Sequence, residues 1–345
     1  MATEGSAFSG AVDWDLAART GVKLVRSGPA TSRYTAETVV AELSEASMRA
    51  EVPVREVTGL ADGLPVPTAQ ILDRSGWIHA AAHSMEQLTG GGAATGLLTG
   101  KPAGIQVGAM LAYLSSAILG QYDPFTGDNG TLLLVAPNVV AVERALRVRP
   151  SDFRLWVCLH EVTHRVQFSS SPWLTGYMQE SVETLGSSVD ESVSDLAGRL
   201  SSALRDRGRS ESDVPGGLVG LMRATQAEPQ REALDRLLVL GTLLEGHADH
   251  VMDAVGPTVV PSVTTIRAAF DSRRRRKSNP VHRLIRALLG MDAKMAQYVR
   301  GKAFVDAVVE RVGMDGFNTI WTGPDTLPRL AEIDRPEAWV SRVLG

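Results

Sequence analysis

The chain reads Trp-Val-Cys-Leu-His-Glu-Val-Thr-His-Arg-Val-Gln-Phe from Trp156 to Phe168, without Gly or Pro. On a helix, His160 and His164 are one turn apart and project from one face. Two imidazoles so placed can both reach one zinc ion at about 2.0–2.1 Å. Glu161 is too close to them in sequence to be a convenient ligand, but its carboxylate can hold a water and take its proton. The stretch therefore predicts a metal site with Glu161 as the general base.

Most of the remaining residues of this stretch are apolar. Leu155, Cys158, Val162 and Val166 form a stripe opposite the histidines, and a helix that is apolar nearly all round is buried. Burying two histidines and a glutamate without partners is costly, and a metal ion supplies the partner.

A catalytic zinc has three protein ligands and one open position. The metzincin extension would require Gly at 167 and His at 170, but the chain has Gln167 and Ser170. We therefore exclude that class and expect a glutamate from a second helix.

Two stretches offer that glutamate at the same Glu-x-x-x-Asp spacing. In one, Glu245 would bind zinc, and Asp249, one turn later, would accept a hydrogen bond from the outer nitrogen of His160. In the other, Glu191 would be the ligand. We favour Glu245 and keep Glu191 as the alternative. The oxyanion-stabilising residue stays open among His247, His250, Tyr177 and Tyr298.

Composition narrows the class of protein. Of the 345 residues, 44% are hydrophobic and 21% are charged, and the net charge is −4; these values are ordinary for a globular protein and favour neither nucleic acid nor a membrane surface as a partner. The lone Cys158 excludes an intrachain disulfide and fits a cytoplasmic location. The charge-free segment Ala103–Gly120 is expected to be a buried core helix. The basic run Arg273–Lys277 is expected to be a solvated loop.

The chain contains many helical patterns and little strand. Ala69–Leu88 is predicted to be helical, and Thr131–Ala136 is the best strand candidate. Asn138 is expected to cap a short helix. These patterns predict a mainly helical α+β protein, with a helical N-terminal region at 1–120 and a catalytic region at 121–345.

Several stretches together resemble a family of bacterial zincin-like proteins classed as hydrolases and metallopeptidases, of the gluzincin type. They are Trp156–Phe168, Leu132–Asn138, Leu243–Gly256, Met314–Asn318 and Trp321. The Glu-Gly-x-Ala piece at Glu245 also resembles the third-ligand motif of aminopeptidase-type gluzincins. The resemblance implies a zincin-like core with a small sheet. It also implies His160, His164 and Glu245 as metal ligands and Glu161 as the catalytic residue. Some members are associated with biosynthesis of a deazaflavin coenzyme.

In other zincins the strand before the motif helix lies along the cleft, so the edge of Thr131–Ala136 is expected to bind an extended substrate.

The sequence therefore predicts a zinc-dependent hydrolase with one Zn²⁺ per chain, cleaving peptide or amide bonds. Two alternatives remain. One is a non-catalytic zinc-binding interaction protein, and the other is a hydrolase of a small amide in cofactor metabolism.

Overall fold

The structure is a computed structural model that describes residues 11–91, 100–186, 228–275 and 291–345. These residues are mainly helical with one small sheet, which confirms the predicted α+β class. The helices are α1 (Trp14–Leu24), α2 (Arg33–Arg49), α3 (Glu51–Thr58), α4 (Arg74–Leu88), α5 (Lys101–Leu114), α6 (Ala136–Leu146), α7 (Pro150–Ser170), α8 (Trp173–Gly186), α9 (Glu228–Val259), α10 (Val263–Arg275), α11 (Met291–Phe317) and α12 (Pro336–Val343). Short 3₁₀ helices occupy Asn318–Trp321, Pro324–Thr326 and Leu330–Glu332.

The sheet has three strands, β1 (Gln70–Leu72), β2 (Gly120–Asp123) and β3 (Thr131–Val135), in the order β1-β3-β2. β1 runs parallel to β3, and β2 runs antiparallel to it. The predicted strand at Thr131–Ala136 is thus present one residue shorter. The prediction that its edge binds substrate is wrong, because β3 is the central strand and both of its edges are already paired. The outer strands of the described sheet are β1 and β2.

β3 is apolar without interruption because both faces of the sheet are covered. Leu132 and Leu134 belong to the larger hydrophobic cluster, which also contains the apolar residues of α7. Leu133 and Val135 point the other way, into a cluster formed with α1, α4 and α5. The sheet therefore separates two layers of helices.

The helix predicted over Ala69–Leu88 is only partly correct. β1 occupies its first part, and α4 begins after Asp73, whose carboxylate accepts a hydrogen bond from the Gly76 amide at 2.7 Å. This N-cap separates the strand from the helix. Asn138 was predicted to cap a short helix. It lies inside that helix instead, because α6 begins at Ala136.

The charge-free segment from Ala103 forms a shorter helix than expected. α5 ends at Leu114, and Gly120 begins β2. One face packs tightly on α1. A Cβ atom added at Gly108 would lie only 2.5 Å from the Ala17 carbonyl oxygen, so the two backbones approach too closely for any side chain there. The other face leaves Ile105 52% exposed, so α5 is half-buried and not the fully buried helix that was expected. Within the described ranges, no helix is long and apolar enough to cross a membrane.

α7 carries the histidine motif through the core. Its stripe of Leu155, Cys158, Val162 and Val166 is at most 4% exposed, as predicted. Burial raises the pKa of the Cys158 thiol, and the nearby charge of Glu161 raises it further, so this cysteine remains an uncharged core residue.

Buried charges hold α7 in place. Arg154 donates to Glu143 at 2.7 and 3.0 Å and also pairs with Glu42, which links α7 to α6 and α2. Arg165 pairs with Glu51 of α3 and donates to the Pro67 carbonyl at 2.7 Å. Burial lowers the pKa of Arg165 to about 10, and the guanidinium therefore stays charged at neutral pH. Because a lone buried charge is strongly destabilising, these pairs fix the position of α7.

The chain forms two compact units. Of the described residues, the first contains 11–91, 100–179 and 248–275, and the second contains 180–186, 228–247 and 291–345. The predicted division at residue 120 is not one of these boundaries and stays a prediction. One boundary falls between His247 and Ala248, within α9, and the same helix is kinked further on, at Gly256.

In the second unit, close backbone contacts set the packing of α9 and α11. A Cβ on Gly246 would overlap the Gly301 backbone. His247 is fully buried against the rings of Phe317 and Trp321, at centroid distances of 5.1 and 5.3 Å.

Candidate metal centre

α7 presents His160 and His164 one turn apart, as the spacing predicts. Their Nε2 atoms face each other at 3.2 Å, and their rings are nearly perpendicular. Both nitrogens are close enough to each other to reach the same ion at ordinary Zn–N distances of about 2.0–2.1 Å. The two nitrogens are therefore arranged to share one ion.

Gln167 fixes the tautomer of the second histidine. Its Oε1 lies 2.9 Å from Nδ1 of His164. A carboxamide oxygen can only accept, so Nδ1 of a neutral His164 carries the proton and donates it. Nε2 is then left with the lone pair that a metal requires. Sequence reasoning had used Gln167 only to exclude the metzincin class and had missed this role.

Glu245 brings a carboxylate to the same place. It lies on α9, far along the chain from the histidines of α7. One ligand atom each from His160, His164 and Glu245 all lie within 4.8 Å of one another. Glu191, the alternative ligand, lies outside the described residues.

These three residues fit a zinc ion by their chemistry. Two imidazole nitrogens and one carboxylate oxygen form the His₂Glu set of a catalytic zinc site, which leaves a fourth position for water or substrate. All three residues are partly exposed.

Glu161 is buried beside them, with 7% of its surface exposed. Its side chain lies against the backbone of Gly120 in β2. β2 continues along α7 from there, and the Tyr122 ring packs on Phe168 at 5.5 Å. Burial raises the pKa of Tyr122 to about 12, so its hydroxyl stays protonated and donates to the Asn129 carbonyl at 2.8 Å.

Asp249 pairs with Arg267 of α10. Its Oδ1 lies 3.6 Å from Nη1 of Arg267 on α10, and its backbone carbonyl accepts from the same guanidinium at 3.1 Å. A hydrogen bond from His160 to Asp249 stays a prediction. Among the four candidates for the oxyanion, His247 packs between aromatic rings. The side chain of Tyr298 lies outside the described part of the structure, and roles for His250 and Tyr177 stay predictions.

With this geometry in view, the comparisons with known proteins identify the family. The family model for zincin-like metallopeptidases matches residues 12–340. The chain belongs to the zincin-like metallopeptidase family. This confirms the resemblance that the sequence motifs indicated, and the family implies zinc binding.

Among solved structures, the chain is similar to one from Chloroflexus aurantiacus described as "a putative hydrolase with a novel fold". The two are 28% identical, the match covers 96% of this chain and 98% of the other, and the TM-score is 0.65. No curated protein matches the chain. The comparisons mention no deazaflavin coenzyme, and that association stays a prediction.

Proposed function

We propose that this zincin-like protein is a zinc-dependent hydrolase that cleaves peptide or amide bonds. The observation that carries the proposal is the convergence of His160, His164 and Glu245 within 4.8 Å, with the buried Glu161 next to His160 on α7. Family membership and the hydrolase described among solved structures support the same reaction class. We place the protein in the cytoplasm, with one zinc ion per chain.

His160, His164 and Glu245 would hold the ion. When bound, zinc would polarise the scissile carbonyl and lower the pKa of a water molecule. Glu161 accepts the proton of that attacking water and then passes it to the leaving nitrogen, which makes it first a general base and then a general acid. Gln167 keeps His164 in the tautomer that leaves Nε2 free for the ion.

The decisive variant is Glu161→Gln. Because the amide has nearly the same shape but cannot accept the proton, we expect one zinc per chain by elemental analysis and a loss of turnover of about 10²–10⁴-fold. Turnover is measured on a mixture of internally quenched peptides, and an exposed glutamate of α8, in Glu180→Gln, serves as the control. Full activity of Glu161→Gln would refute the mechanism.

His164→Ala separates metal binding from proton transfer. Loss of one imidazole leaves too few ligands, and we expect both zinc content and turnover to fall. If the wild-type chain binds zinc but cleaves small amides and no peptide, the reaction is that of an amidohydrolase. If it binds zinc and cleaves neither, the non-catalytic alternative is favoured.

A further inference from the structure

β2 passes so close to Glu161 that glycine is the residue that fits at position 120. A Cβ atom on Gly120 would lie 2.6 Å from Cγ, 2.8 Å from Cδ and 3.0 Å from Oε1 of Glu161. Non-bonded carbon atoms pack at about 3.5–4.0 Å. Gly120 is not among the glycines with positive φ, so the requirement is one of space and not of backbone conformation.

The backbone at this point is held by the sheet. Gly120 pairs with Leu134 in the antiparallel register of β2 and β3. The preceding carbonyl, that of Leu119, accepts a hydrogen bond from the Val135 amide at 2.8 Å. β2 therefore cannot move away from α7 without breaking its pairing with the central strand.

A buried amide anchors the loop that leads into β2. Asn138, 1% exposed, donates to the carbonyls of Ser115 at 2.7 Å and Ile118 at 2.6 Å. Its own oxygen accepts from Nε of Arg74 at 2.7 Å. Leaving buried groups without partners is costly, so this amide opposes any displacement of the loop.

Glu161 is constrained on its own side as well. It is 7% exposed and projects from a helix whose position is fixed by buried ion pairs. Two rigid backbones, α7 and β2, thus enclose the carboxylate. Since a proton acceptor must lie within about 2.6–3.2 Å of its donor, the direction of this side chain matters as much as its identity.

We infer that Gly120 is a positioning residue for Glu161, and that the β2 backbone directs the carboxylate toward the water it deprotonates. The inference rests on the proposed function, in which Glu161 is the general base. A misplacement of about 1 Å can cost about 10²-fold in rate. A methyl group at position 120 would force a shift of that size.

The contact is tested without metal or substrate by a double-mutant cycle of Gly120→Ala and Glu161→Ala, measured by thermal unfolding. We expect Gly120→Ala to lower the midpoint by about 3–10 °C, and we expect most of that loss to disappear when Glu161 is also truncated. Equal losses in both backgrounds would overturn the inference. So would failure of both the single and the double variant to fold, because truncation would then relieve nothing.

The role of Gly120 in positioning Glu161 is tested by kinetics on the zinc-loaded full chain, with the same peptide mixture as for Glu161→Gln. For Gly120→Ala we expect kcat to fall about 10²-fold, with KM within about threefold and one zinc still bound. The matched control is Gly176→Ala, an exposed helical glycine on α8 where a Cβ meets nothing within 4 Å. Wild-type kcat in Gly120→Ala would overturn the inference and leave the proposed function standing.

If the wild-type chain hydrolyses no substrate, the proposed function fails. The contact between Gly120 and Glu161 is then tested by measuring how tightly the zinc-loaded chain binds a small ligand. Acetohydroxamate chelates zinc and forms a hydrogen bond with a neighbouring carboxylate. Because the displaced carboxylate would lose this hydrogen bond, we expect the affinity for the zinc-loaded Gly120→Ala variant to be about tenfold weaker than for the wild type, and unchanged for Gly176→Ala. Equal affinity for wild type and Gly120→Ala would overturn the inference.

Discussion

Gln167 stands one turn after His164 and accepts a hydrogen bond from its Nδ1 at 2.9 Å. The amide is neutral, so it orients the ring without adding a negative charge next to His164. Partners of this kind set both the direction and the basicity of a histidine ligand. The metal site that we propose therefore includes Gln167 in addition to the three residues that would touch the ion.

Gln167→Ala should weaken zinc binding. Because the ring of His164 loses the acceptor that fixes its tautomer, we expect the Kd for zinc to rise about 10–100-fold, measured by competition with a chromophoric chelator. Gln167→Glu keeps an acceptor and should bind zinc at least as tightly as the wild type.

Gln179→Ala, which truncates an exposed glutamine of α8, is the control and should bind zinc normally. A wild-type Kd in Gln167→Ala would show that His164 is oriented by other contacts.

At the scale of elements, the sequence predicts helices better than short strands. α7 and β3 can be predicted from the sequence, because a long helical pattern without Gly and a short apolar run are strong local signals. β1 and β2 were missed. They have three and four residues, and each forms only because β3 offers an edge, which is a property of the fold and not of the segment.

The last helix is held by one arginine. Arg342 of α12 donates to both carboxylate oxygens of Glu332, at 2.7 and 2.9 Å, and to the carbonyls of Asp325 and Leu327. Burial acts to raise the pKa of Glu332, but hydrogen bonds from Arg342 and from the Arg329 amide outweigh it and lower the pKa below the ordinary value of 4.5. The ionised carboxylate is therefore the form that stabilises this end of the chain.

This lowered pKa predicts a dependence of stability on pH. A carboxyl group whose pKa is lower in the folded state stabilises above its unfolded pKa, and that stabilisation is lost as pH falls through the folded value. We expect the thermal midpoint of the wild type to drop more steeply below about pH 4.5 than that of Glu332→Gln. Glu337→Gln removes an exposed carboxylate of the same helix and should follow the wild type. Parallel curves for wild type and Glu332→Gln would contradict this account.

At the scale of the whole molecule, the helix that carries His160 and His164 belongs to a large hydrophobic core. The larger hydrophobic cluster combines apolar residues of α2, α6, α7, α9 and α10 with β3. Its burial supplies the main stabilisation of the first unit. Zinc would then add stability through binding, and would not be required for folding as it is in small zinc modules.

Removal of zinc distinguishes the enzyme from the non-catalytic alternative. After treatment with a chelator, we expect the helical circular dichroism to remain and the thermal midpoint to fall, because binding at about 100 times Kd contributes about 2.7 kcal/mol. Zinc added back should restore the midpoint. Unfolding on chelation would indicate that the ion has a structural role and would favour the interaction protein.

By itself the sequence determined that two imidazoles and a carboxylate share one helix, because a four-residue spacing is one turn and the apolar stripe fixes which side is buried. It also limited the third ligand to Glu245 or Glu191, since these stretches repeat the same spacing. Only the tertiary structure decided that Glu245 lies beside the histidines, that β2 and not β3 lies against Glu161, and that Gln167 orients His164. The first two depend on segments that are distant along the chain and meet only through packing. The third depends on a side-chain orientation that helical spacing permits but does not fix.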